Sequence, residues 1–250
     1  MEWYMYLKVI ACNVFFREIS YCAALSPHTI DVEFFELGEH IHSDSLRKNI
    51  LRRIAQTEQA AKQYDAILLG FGLCGNTAVG ISAQHHRLII PRAHDCCTIL
   101  LGDKALFKAN FEGNPSTPFS STGYMERGEY FVRKGDGQVV YGDAYAALVQ
   151  QYGEEDAKFV WEAMHPKMEG EEERAIFIDI PEFRFPEKVA KFKQQAEEEG
   201  KKFVQLQGSM RIIRDLLNGN WNDADFLTVL PGEKIVPLYD WDRVINAGIN

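Results

Sequence analysis

Three cysteines each stand just past a run of apolar, β-forming residues. Cys12 follows Tyr6–Ala11 (YLKVIA), and Cys74 follows Asp65–Leu69 (DAILL) through a glycine-rich turn. Cys96 follows Leu88–Ile90 (LII) through the stretch PRAHD. Adjacent parallel strands deliver their loops to one sheet edge, where open α/β sheets bind ligands. The three thiols are therefore expected to converge. Thiolates gathered at one point repel one another unless a cation shares them. Sulfur donors with an imidazole suit zinc, iron or an iron–sulfur cluster. Cys12, Cys74 and Cys96 are the candidate metal ligands. His94, two residues before Cys96, is either a fourth ligand or a proton-transfer group beside an open coordination position.

The residues around the thiols suit the handling of a small polar ligand. Arg92 is a candidate clamp for a carboxylate or phosphate, and Asp95 a candidate general base or orienter of an imidazole. Their ordinary alternative is a salt bridge within the loop. Gly70, Gly72 and Gly75 surround Cys74 and permit close approach of a ligand to the backbone. They also match the spacing G-x-G-x-x-G, but no acidic residue closes the next strand, which ends in Pro91 and Arg92. A lone pattern of this kind is weak evidence for a dinucleotide. Asn76 in this turn, Asn13 after Cys12, and Ser209 in the loop QGS are further candidate cofactor contacts. Asn13 and Ser209 are equally ordinary as helix N-caps. Cys22, among Ala23, Ala24 and Leu25, reads as a small core residue.

The elements that must position these residues alternate. Strands are expected over about 6–11, 31–36, 66–70 and 88–91, with helices over 14–25, 43–61, 77–83 and 98–107. Further strands read as Ala175–Ile178, Lys202–Gln205 and Phe226–Leu230, with helices over 186–199 and 208–217. Pro186 opens and Gly200 stops the first of these helices. This is the habit of an α/β protein with mostly parallel sheets, helices on both faces, and two lobes around a cleft. Three parts are expected: residues 1–111 as an N-terminal α/β unit with the cysteine loops, 112–142 as a Gly-, Ser- and aromatic-rich insertion or lid, and 143–250 as a C-terminal part packed with the first. If 112–142 is a lid, Phe119, Tyr124 and Tyr130 should face the cysteine edge.

Composition narrows the function classes. The chain has 250 residues, 46% hydrophobic and 25% charged, which suits a globular protein with a sizeable core. A net charge of -9 argues against a nucleic-acid partner, and no apolar run is long enough to span a membrane. Five cysteines without scaffold spacing, and no secretory signal, point to a reducing cytoplasm.

With IACN at residues 10–13, LGFGLCGN at 69–76, PRAHDC at 91–96 and Leu101-Gly102 in view, the chain resembles an uncharacterised family of bacterial and archaeal proteins, the domain of unknown function DUF1638. The resemblance implies that Cys12, Cys74, His94 and Cys96 match family positions. It also implies a setting near corrinoid-dependent methyltransferase systems, without assigning a reaction. Three functions stay open: a metal- or iron–sulfur-dependent enzyme acting on a small anionic or methylated metabolite, a non-catalytic metal-, corrinoid- or cofactor-binding accessory protein, and a metal-free enzyme with a cysteine nucleophile.

Overall fold

A computed structural model describes residues 4–36, 43–74, 76–114, 117–127, 149, 153–154, 173–238 and 240–249. The fold is α/β, with helices flanking sheets that are largely parallel. The larger sheet has five strands in the order β2-β1-β3-β4-β8. Its members are β1 (Tyr6–Cys12), β2 (Thr29–Phe35), β3 (Ala66–Gly70), β4 (Leu88–Pro91) and β8 (Phe226–Val229). β1 to β4 run parallel and β8 closes the β4 edge antiparallel. β3 and β4 are buried along their whole length, as expected of strands covered on both faces.

The crossovers explain the layers. After β1 the chain passes through one turn of 3-10 helix, Asn13–Phe15, and α1 (Phe16–Leu25) to β2. It returns through α2 (Ser43–Gln59) to β3, on the other side of β1. Right-handed crossovers in opposite directions place α1 and α2 on opposite faces. β1 and β3 are thus the central pair, and the connections leaving them diverge. That is the switch point at which doubly wound sheets open a crevice.

A second, three-stranded parallel sheet has the order β5-β6-β7: β5 (Phe119–Ser121), β6 (Arg174–Asp179) and β7 (Lys202–Gln207). β5 runs straight into α5 (Thr122–Arg127), and α6 (Pro186–Glu198) links β6 to β7. α7 (Arg211–Leu217) follows β7 and lies against α1. A hairpin of β9 (Glu233–Pro237) and β10 (Ile245–Ile249) follows β8. One continuous apolar core joins the large sheet to Phe119, Ile176 and Ile178 of the second and to Tyr124 of α5, while Phe177 of β6 packs separately on Phe192 of α6. The C-terminal ends of the two parallel sheets face each other. The clearest sign is Gly123 of α5, where an added Cβ would lie 1.9 Å from the Val14 carbonyl oxygen just after β1.

Several expectations need correction. The helix expected over 98–107 is two helices, α3 (Cys96–Leu101) and α4 (Lys104–Phe111), split at Gly102. Gly102 adopts φ 70°, and Asp103 caps α4 through Ala105 N–H and Leu106 N–H. The helix expected over 77–83 is a run of turns ending in a bridge between Ser82 and Lys234, with Asn76 and Gly80 at positive φ. Asn13 does not cap α1; its Nδ2 donates to Glu36 Oε2 at 2.7 Å. β8 returns from the C-terminal part to complete the N-terminal sheet, so the two parts share that sheet. Gly75, residues 37–42 and most of residues 128–172 lie outside the described residues.

Candidate functional site

The three thiols lie at the C-terminal ends of β1, β3 and β4 or in the turns that follow them. Cys12 is the last residue of β1, pairs in register with Phe35 of β2, and is fully buried. The turn after β3 is pinned to the loop after β4 by two backbone hydrogen bonds. Leu73 N–H donates to the Ala93 carbonyl at 2.8 Å and Cys74 N–H to the His94 carbonyl at 2.9 Å. Gly72 allows this approach: a Cβ there would sit 2.8 Å from the Ala93 oxygen and from both Asp95 N and Cα. Cys74 is held at φ 46°, left-handed backbone that costs a residue with a Cβ about 1–2 kcal/mol. Arg47 of α2 braces the far side of the turn, donating to the Asn76 and Thr77 carbonyls at 2.8 and 3.2 Å.

Cys96 is the middle thiol. Its Sγ lies 4.0 Å from Cys74 Sγ, and it hydrogen-bonds to Cys12 and to Cys74. Those two bonds, with burial, push its pKa well above the usual thiol range, so Cys96 is protonated at neutral pH. Cys12 and Cys96 are fully buried, whereas Cys74 is partly exposed. Among the described residues, no group of three or more His, Cys, Asp or Glu side chains is gathered tightly enough to hold a metal ion as it stands. Cys74 and Cys96 are sulfur donors of the kind that thiophilic ions take. Cys97, next in the chain, is buried with its thiol pushed up by burial and by the Asp95 charge. Cys22 of α1 is pushed up to about 11, mainly by burial.

His94 turns its ring aside from the loop that carries it. The imidazole stacks on Phe107 of α4, with centroids 5.4 Å apart, and lies 4.9 Å from the Trp241 ring. It hydrogen-bonds to the Trp241 backbone, and its buried Nε2 has no partner among the described residues. Burial lowers its pKa, so the ring is neutral at pH 7. Asp95 is the N-cap of α3: Oδ1 accepts from Thr98 N–H at 3.0 Å and Thr98 Oγ1 at 3.3 Å. Burial raises its pKa. Arg92 is committed to structure. Its Nε donates to the Asp223 and Phe226 carbonyls, Nη1 to those of Arg243 and Ile245, and Nη2 to Asp223 Oδ1.

The remaining candidates are spread out. Gly70 is needed for packing, since a Cβ there would meet Ala11 Cβ at 2.5 Å and Ile19 Cδ1 at 3.3 Å. Asn76 is exposed beyond the turn. Ser209 lies at the opposite end of α3 from Cys96, its N–H donating to the Leu100 carbonyl and its Oγ accepting from Arg211 N–H. No helix follows the Gly70–Asn76 turn among the described residues, so the helix N-terminus on which a dinucleotide pyrophosphate rests is not supplied there.

A family model matches residues 34–217, well over half of the chain. The chain belongs to DUF1638, described as a protein of unknown function. No curated protein and no solved structure matches it. The matched DUF1638 span takes in Cys74, His94, Cys96 and Ser209, and it leaves Cys12 and Trp241 outside.

Two features of this DUF1638 edge were not legible in its sequence. Trp241 covers His94. Its turn is built on Asp240, whose Oδ1 accepts from the N–H groups of Asp242, Arg243 and Val244. An Asp in DWDR signals the turn, but not what the turn lies upon. The second feature is a line of ring contacts running from His94 through Phe107, Phe111 and Phe119 to Tyr124. Phe119 and Tyr124 are buried beneath α5, which packs on the turn after Cys12. The start of the expected lid is thus core at this edge; Tyr130 lies outside the described residues. Nearby in the first turn of α1, the buried Glu18 carboxyl is pushed up to about 7, mainly by burial.

Proposed function

We propose that Cys12, Cys74 and Cys96 together hold one thiophilic metal ion, zinc or ferrous iron, in an enzyme acting on a small polar metabolite. The observation that carries this reading is Cys96 Sγ 4.0 Å from Cys74 Sγ and in hydrogen-bond reach of Cys12, each thiol delivered by a different strand end. A Cys74–Cys96 separation of 4.0 Å is close to the spacing of two sulfurs on one tetrahedral ion, about 4 Å. A four-iron cluster would spread its cysteines to roughly 6–7 Å around a larger core, so a single ion fits better. A bound ion would supply Lewis acidity to a small ligand at this edge.

The chain's own residues set the conditions. Cys96 must lose its proton to bind, so affinity rises with pH and binding releases acid. Neutral His94, whose Nε2 has no partner among the described residues, is the proton carrier nearest in sequence to the thiols. Methylated substrates and a corrinoid methyltransferase system as partner rest on the family resemblance alone.

The test is metal content after anaerobic, reducing purification. Zinc, and cobalt as a coloured probe, are titrated into wild type and into Cys12→Ser, Cys74→Ser, Cys96→Ser and Cys97→Ser. One ion per chain is expected in wild type and in Cys97→Ser, with loss in the other three. Wild type that retains no ion, or retention indifferent to the three substitutions, overturns the proposal. One ion bound without turnover of any small metabolite would favour the accessory-protein reading.

A further inference from the structure

We propose that Cys74 and Cys96 are a redox pair that closes to a disulfide when the protein meets a peroxide. The sulfurs are 4.0 Å apart, and a disulfide needs about 2.05 Å, so the approach required is about 2 Å. The pair is held together by backbone rather than by chance contact. The bonds from Leu73 N–H to the Ala93 carbonyl and from Cys74 N–H to the His94 carbonyl fix one loop on the other. Gly72 leaves no side chain between them.

Exposure assigns the two roles. Cys74 is partly exposed and meets an oxidant first; Cys96 is fully buried behind it. The Cys74 thiolate attacks one oxygen of hydrogen peroxide, the O–O bond breaks, and hydroxide leaves, giving a sulfenic acid at Cys74. Cys96 sulfur then attacks the sulfenic sulfur, and the S–O bond breaks. The departing hydroxide takes the Cys96 proton and leaves as water. In sum, two thiols and one peroxide give one disulfide and two waters. The two sulfurs are oxidised and the peroxide oxygens reduced. Cys12, also hydrogen-bonded to Cys96, takes no part in the new bond.

The consequence for the metal site rests on the reading above, because a disulfide removes two of its three sulfur donors. The pairing itself does not rest on that reading. Metal-free, reduced wild-type protein is treated with equimolar hydrogen peroxide, alkylated, and mapped by non-reducing peptide mass spectrometry. Free thiols should fall from five to three as two become bonded, with one cross-linked peptide pair joining Cys74 to Cys96. Dithiothreitol should restore all five. A different pairing, or Cys74 driven to sulfinic acid with Cys96 still free, overturns the proposal. The same reaction is run on protein loaded with zinc. Slower oxidation of both cysteines supports the linked switch. Zinc without effect on the rate, while the disulfide still forms, overturns the metal reading and leaves the redox pair standing.

Discussion

Replacing Gly72 with Ala tests whether close packing of two loops creates the thiol site. The added methyl would lie 2.8 Å from the Ala93 oxygen and from Asp95 N and Cα. All three are backbone atoms, so none can swing aside as a side chain would. The loops must part by several tenths of an ångström. Overpacking of this kind costs about 1–3 kcal/mol. The two hydrogen bonds across the gap, at 2.8 and 2.9 Å, would lengthen, and each contributes about 1 kcal/mol. A total loss of about 2–4 kcal/mol is expected in urea denaturation of the reduced, metal-free protein. Gly80→Ala is the matched control. Gly80 has φ 80° and nothing within 4 Å of an added Cβ, so only backbone strain remains, about 1 kcal/mol. Gly72→Ala should also lower the yield of the Cys74–Cys96 disulfide, which Gly80→Ala should not. Equal stability of the two variants would refute the reasoning.

Three further outcomes follow from the same geometry. Glu18 has a folded pKa raised from 4.5 to about 7, so the stability of its protonated form is fully present below about pH 4.5 and lost as pH rises through 7; at 1.36 kcal/mol per pH unit the loss is about 3 kcal/mol, and Glu18→Gln should abolish that slope in denaturation curves taken from pH 4 to 8. Asp95→Ala removes the cap of α3 and should cost about 1 kcal/mol, read as a lower thermal midpoint. Trp241→Leu opens the face of His94; because burial is what lowers that pKa, the His94 ring resonances should titrate at higher pH than in wild type.

The central strands were legible because their residues carry the signal locally. YLKVIA, AILL and LII are short, apolar and bounded by turn residues, and β1, β3 and β4 stand where those runs predict. That placement brings Cys12, Cys74 and Cys96 to one sheet edge, and the loop contact at Gly72 brings Cys74 up to Cys96. The break between α3 and α4 is equally present in the sequence, as Gly102 followed by the capping Asp103. β5 and α5 carry almost no local signal: Phe119–Ser121 is three residues long with two serines, and TGYMER has Gly at its second position. They form because Phe119 and Tyr124 bury against the core and Gly123 lets α5 rest on the Val14 carbonyl. The roles of Arg92 and Trp241 were beyond local reading. Each is decided by a partner in the other half of the chain, and nothing in PRAHD distinguishes a ligand clamp from a structural one.

The burial of Arg92 has a consequence for synthesis. Its guanidinium is 2% exposed as a residue, and its acceptors lie 131–153 residues further along the chain. A ribosome adding about 5–20 residues per second makes those acceptors roughly 7–30 s after Arg92. During that interval β4 lacks β8, so its backbone is an open edge on which another nascent chain could pair. Arg92 stands on this same strand-end loop as a hydrated charge, which disfavours that pairing. When Asp223, Phe226, Arg243 and Ile245 arrive, the charge that guarded the edge becomes the bolt that locks the last strand against it.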